Sequence, residues 1–125
     1  MHGEPMSEYQ SIKTTIVTIP TSRITDWDSF HGVFQTALGF PGFYGRNMNA
    51  WIDCLTYLDD GMTRFTVADG DTLTLRIDDA DGFASRCPEQ YLALIECAAF
   101  VNFRRREAGL NPGLSLLLSG SFNRD

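Results

Sequence analysis

The sequence predicts an α/β fold, a small three-stranded parallel sheet with helices packed on it. Three observations carry this. Short runs rich in β-branched or aliphatic residues occur at Thr14–Ile19, Thr72–Ile77 and Leu114–Leu118. The segments between them repeat apolar residues every three to four positions, the period of a helix. Strands that alternate with helices are the pattern of a parallel sheet, because parallel neighbours need a long crossover. The order is strand, helix, helix, strand, helix, strand, and the crossovers are expected to be right-handed.

The elements follow in order. Residues 1–11 are polar and read as a flexible tail, 12–120 as one domain and 121–125 as a C-terminal tail. Thr14–Ile19 is a strand expected to be buried on both faces and closed by Pro20. Thr25 is expected to cap the first helix, with Asp28 three residues on as its partner. Trp27, Phe30, Val33, Phe34, Ala37 and Leu38 mark its buried face, and Gly39 ends it. A short link stiffened by Pro41 leads to Asn47, the cap of the second helix. Met48, Trp51, Ile52, Leu55 and Leu58 form that helix's core stripe, and Asp59-Asp60-Gly61 stops it. Arg64–Val67 alternates and is followed by an Asp-Gly turn signal, so an extra short strand pairing with Thr72–Ile77 is possible. Asp79–Arg86 has room for a helical turn around Phe83. Pro88 opens the longest helix, expected to be mostly buried through Tyr91, Leu92, Leu94, Ile95, Ala98, Ala99, Val101 and Phe103. Arg104, Arg105 and Arg106 complement the negative end of its dipole, and Gly109 stops it.

Composition narrows the function. A chain of 125 residues with 43% hydrophobic residues can bury a core without metals or disulfides. A net charge of −6 argues against nucleic acid or an anionic membrane as the direct partner. The three cysteines, Cys54, Cys87 and Cys97, are an odd number without paired spacing, and reduced thiols suit a cytoplasmic setting. No signal peptide and no apolar run of membrane-spanning length is visible in the sequence.

Catalytic and metal chemistry find little support. Asp78-Asp79-Ala80-Asp81-Gly82 has the look of a calcium loop. Aligning Gly82 as the loop glycine, however, puts Ile77 at the first ligand position and Pro88 at the last, where a glutamate is required. The cysteines and histidines are too scattered for zinc. His31 is expected to face solvent, and no serine elbow or phosphate loop is present. No metal, cofactor or catalytic residue is assigned, and the chain reads as a protein that is not an enzyme.

The stretch from Phe43 to Thr56 remains: an aromatic pair, Gly45, the cap Asn47 and an amphipathic helix. On the flank of its core stripe lie Asn49, Asp53 and Thr56, with Asp53 as a lone carboxylate on a stiff support. The pattern Phe43-Tyr44-Gly45-x-Asn47-x-x-Ala50-x-x-Asp53-Cys54-Leu55-Thr56 resembles the core motif of the barstar family, intracellular inhibitors of the ribonuclease barnase. The resemblance runs from about Ile16 to Leu118 and implies a barstar-like fold. The chain is longer than that pattern, chiefly at the N-terminus and between Leu58 and Leu73.

The resemblance also implies a mechanism. The second helix and the preceding loop would lie across a ribonuclease active site, with Asp53 entering the pocket where the RNA phosphate sits. Such a site is a preorganised anion receptor, which a carboxylate can fill without being cleaved. Phe43, Tyr44, Gly45, Asn47, Asn49, Ile52, Asp53 and Thr56 are the partner-binding residues so implied. The partner would be a basic ribonuclease of the extracellular type or a related toxin, with the chain as its cytoplasmic immunity protein. Several positions depart from the family pattern. Asn49 stands where a second aspartate is expected, Ile52 where a tryptophan is, Arg46 where a glutamate is and Phe43 where a tyrosine is. An acidic contact from the last helix falls near Arg104, so that contact is expected to be lost. A protein-interaction module of the same fold with a non-nuclease partner is the alternative. An enzyme acting through Cys87 or His31 is the third reading.

Overall fold

The computed structural model describes residues 12–122, so the expected tail over 1–11 and the last three residues of the chain lie outside the described residues. Strand β1 (Thr14–Thr18) is followed by helices α1 (Trp27–Leu38) and α2 (Met48–Thr56), strand β2 (Thr72–Ile77), helices α3 (Ala80–Arg86) and α4 (Pro88–Glu107), and strand β3 (Leu114–Leu118). The sheet is three-stranded and parallel, in the order β1-β2-β3. Val17, Leu75 and Leu116 share one register row, as do Thr15, Leu73 and Leu114. No described helix is long and apolar enough to cross a membrane.

The sheet buries one face. Val17, Ile19, Leu73, Leu75, Ile77 and Leu114 join the core with Phe30, Phe34, Leu38, Trp51 and Leu55 from the first two helices. On the other face Ile16, Thr18, Arg76 and Leu117 meet solvent. The expectation that β1 is buried on both faces is therefore corrected: a β-branched run alone does not show whether a second layer covers it. Central β2 comes nearest to that state, with Thr74 buried and bonded to the Ser115 hydroxyl at 2.6 Å.

Local capping chemistry accounts for the helix ends. Asp26, not Thr25, caps α1, in a reciprocal box with Ser29. Thr25 supplies its backbone N–H to the Ser29 hydroxyl at 2.8 Å, so the expected start is shifted by one residue. Gly39 ends α1 at φ 68°, and a Cβ there would come within 2.8 Å of the Arg64 side chain. Both the left-handed backbone and the crowding require glycine.

Four other expectations change. The possible strand at 64–67 does not form, because the Arg64 N–H is spent on the Leu38 carbonyl at 2.9 Å and satisfies the end of α1 instead. The turn expected around Phe83 is a seven-residue helix, α3. Helix α4 is buried along a narrow stripe only, Gln90, Leu94, Ala98, Val101 and Arg105, while Leu92, Ala99, Phe100 and Phe103 are exposed. His31 is buried rather than solvent-facing, since its ring stacks on Trp27 and reaches Tyr44.

Candidate partner-binding face

The loop that delivers α2 is anchored from beneath. Tyr44 is buried, with its ring centroid 4.7 Å from that of Phe40, and its hydroxyl pairs with His31 Nδ1. Burial pushes the Tyr44 phenol far above its usual range. Burial, and then the Arg46 charge, pull the His31 imidazole below its ordinary value. Both groups are therefore neutral near pH 7, and the pair is a neutral hydrogen bond inside the fold.

Arg46 provides the second anchor. It is the one described non-glycine residue with positive φ, at 54°. That conformation is uncommon for a residue with a Cβ. Its guanidinium compensates by donating to the Asp28 carboxylate at 2.8 Å, the Asp28 carbonyl at 2.9 Å and Gln35 at 3.1 Å. The loop is thereby clipped to α1. Asn47 then accepts from the Ala50 N–H at 2.8 Å and starts α2.

On α2 the core stripe is Trp51, Ile52, Leu55 and, just beyond the helix, Leu58, all buried. Thr56 is buried as well, its hydroxyl donating to the Ile52 carbonyl at 2.7 Å. Asn49 and Asp53 point outward. Phe43, Tyr44, Gly45, Asn47, Asn49, Ala50, Asp53, Cys54 and Met62 line one shallow concavity of about 360 Å³. Six of the eight residues that sequence reasoning singled out thus come together. Ile52 and Thr56 do not line this concavity, because the helix turns both side chains inward. Tyr44 reaches it from below, as a support, and Phe43 stands out into solvent with 76% of its surface exposed.

Asp53 is not the lone carboxylate that the sequence suggested. Its Oδ1 accepts from Arg104 of α4 at 2.7 Å, with 57% of the aspartate side chain and 32% of the arginine side chain exposed. The hydrogen bond from Arg104 to Asp53, with further help from the nearby Tyr57, holds the guanidinium even more firmly protonated than usual. The carboxylate therefore faces outward but already has a counter-ion from its own molecule. Arg105, the next residue, is fully buried. It donates to the Thr56 carbonyl at 2.8 Å, to Asp59 at 3.0 Å and to the Asn111 carbonyl at 2.8 Å.

Sequence reasoning named Arg46 and Arg104 as departures from the family pattern at this face but missed the contacts they make, and it missed Arg105 as part of the frame. Beyond that pattern, Arg104 and Arg105 were legible only as complements of a helix dipole, since their partners are on α2 and beyond. Burial, and then the neighbouring Asp53, push the Cys54 thiol up, so it is not an activated nucleophile at neutral pH. Among the described residues no group of three metal-ligating side chains is close enough to hold an ion. A separate concavity of about 370 Å³ between β1 and α1, lined by Val17, Thr18, Arg23, Thr36 and Arg64 among others, shares no residue with the α2 face.

From residue 14 to residue 113 the sequence matches the family described as Barstar (barnase inhibitor). The chain belongs to the barstar family. A search of curated proteins returned no match. The family match runs from β1 to the turn before β3 and so includes the α2 face and both of its anchors. Within this barstar-family chain the motif from Phe43 to Thr56 forms one continuous structure: an outward aromatic, a buried tyrosine, a cap and a helix that displays one carboxylate.

Proposed function

We propose that this chain is a non-enzymatic inhibitor of a ribonuclease, a cytoplasmic immunity protein against a basic, secreted-type enzyme. In this reading α2 and its preceding loop cover the active site. Asp53 occupies the place of the RNA phosphate, and Phe43 packs at the rim. The observation that carries the reading is the outward Asp53 carboxylate on a helix fixed at both ends, beside the exposed ring of Phe43. Family membership supports a ribonuclease as the class of partner. Tyr44, Ile52 and Thr56 act as supports for the face, and Asn49 lies on it.

The test is capture of a partner from the source cells, an RNA-cleavage assay on what is retained, and titration calorimetry with Asp53→Ala. If Asp53 is buried against cations in the complex, truncating it costs about 2–5 kcal/mol of binding. That range was in part measured on barnase and its inhibitor and is borrowed from them, not read from this chain. Inhibition that survives the substitution undiminished would remove Asp53 from the mechanism. The second reading, an interaction module with a non-nuclease partner, is favoured by one specific observation: Arg104 partly neutralises the only carboxylate on the face of α2. A retained partner without nuclease activity decides for it.

A further inference from the structure

Helix α4 also presents a ridge directed away from the fold. We infer that this ridge pairs with the same ridge of a second copy of the chain, the two helices antiparallel, to make a weak dimer with two-fold symmetry. The inference does not depend on the reading of Asp53.

Spacing and exposure define the ridge. Glu89, Leu92, Glu96, Ala99, Phe103 and Arg106 follow one another at intervals of three, four, three, four and three residues, and all six are exposed. That alternation is the pattern of a coiled-coil seam. At about 100° per residue the ridge lies opposite the buried stripe of Gln90, Leu94, Ala98, Val101 and Arg105, so the rest of the fold leaves it uncovered. Leu92 is 55% exposed and Phe103 53%. Phe100 stacks on the Phe103 ring at 6.0 Å and broadens the apolar middle. Trp27 Nε1 donates to Glu89 Oε1 at 2.8 Å and steadies that end, leaving the second Glu89 oxygen without a bond to a described residue. The side chains of Glu96 and Arg106 form no ion pair with a described residue.

The order of residue types along the ridge selects a second copy as its occupant. With the two-fold axis passing between Glu96 and Ala99, Glu89 meets Arg106 of the second copy, Leu92 meets its Phe103 and Glu96 meets its Ala99. The symmetry makes each contact occur twice. A parallel pair would set Glu89 on Glu89 and Arg106 on Arg106, so charge favours the antiparallel one. At about 1.5 Å per residue the ridge is about 26 Å long. One helix pair of that length buries less than the roughly 1,200 Å² at which stable interfaces begin, so the dimer is weak. The two copies of Glu96 lie beside the axis and oppose the pairing.

Sedimentation equilibrium of the full chain from about 10 µM to about 1 mM reads the association. The buffer holds about 0.15 M salt, which screens the net charge of −6 on each copy beyond about 8 Å. The average mass is expected to rise from 14.0 kDa toward twice that value. Phe103→Ala should weaken the dimer about tenfold or more, and Glu96→Gln should tighten it. Glu89→Arg and Arg106→Glu should each weaken it about threefold or more, and the double exchange Glu89→Arg/Arg106→Glu should restore it. Thermal melts check that each variant folds. A chain that stays at 14.0 kDa throughout overturns the inference, as does a dimer indifferent to Phe103→Ala or to the single charge exchanges.

Discussion

Arg105→Ala should destabilise the fold by about 3–5 kcal/mol, the cost of breaking a buried ion pair from one side. The structure explains why the upper part of the stability scale applies. Arg105 has no exposed side-chain area, and its Asp59 partner is only 16% exposed. Removing the guanidinium strips the Asn111 and Thr56 carbonyls of donors at 2.8 Å and leaves Asp59 without its contact at 3.0 Å. Each hydrogen bond to a charged group contributes about 1.5–3 kcal/mol, and these contributions overlap rather than add. The Thr56 carbonyl belongs to the last turn of α2, so the loss falls on the helix that carries Asp53. For a domain of this size the change corresponds to a melting temperature lower by about 10–20 °C. Urea denaturation followed by circular dichroism measures it, with exposed Arg106→Ala as the control, expected within about 0.5 kcal/mol of wild type. In the Asp59→Asn background the cost should shrink, because the stranded carboxylate is gone. A loss below about 1 kcal/mol for Arg105→Ala would refute the reasoning.

Two further predictions concern the anchors of the α2 face. His31 is held below its ordinary pKa by burial and Arg46, against the opposing pull of Asp28, with Tyr44 as its hydrogen-bond partner. The unfolded chain then binds a proton that the fold refuses, so stability is complete above about pH 6.5 and falls as pH drops toward the folded pKa, by at most about 1.4 kcal/mol per pH unit. Urea midpoints at pH 7.5 and pH 5 should show this loss in the wild type and a smaller one in His31→Gln; an equal loss in both would assign it elsewhere. Asn47→Ala should cost about 1 kcal/mol by removing the cap on Ala50, while Asn47→Asp keeps it, and the same denaturation assay separates the two.

The parts of the fold legible in the sequence are those decided locally. The Asn47 cap, the end of α1 at Gly39, the opening of α4 at Pro88 and the α2 core stripe each depend on residues within a few positions of one another. The strands and their helical separators gave the parallel sheet for the same reason. What the sequence hid depends on which element becomes a neighbour. His31 occupies a place on α1 that looks solvent-facing until the loop brings Tyr44 over it. Leu92, Ala99 and Phe103 read as core because apolarity does not say how wide a covered stripe is. Arg104 and Asp53 are 51 positions apart, and nothing local announces their contact. The site was therefore legible as a motif but not as an electrostatic object.

That division bears on how the face can work. Helix α2 is pinned at its entry by Tyr44 on His31 and by Arg46 on Asp28, and at its exit by Arg105 on the Thr56 carbonyl. None of these residues needs to touch a partner, yet together they fix the direction in which Asp53 leaves the surface. A carboxylate so held loses little conformational freedom on binding, and preorganisation of this kind raises affinity without adding contacts. Binding energy gained at Asp53 would then be limited less by the order of its own backbone than by the 2.7 Å contact with Arg104. Frame and charge are separable in this chain. Substitutions at Arg105 or Asn47 should weaken folding and every complex together, whereas substitutions at Arg104, whose ion pair is partly exposed, should change stability little and act on binding through Asp53.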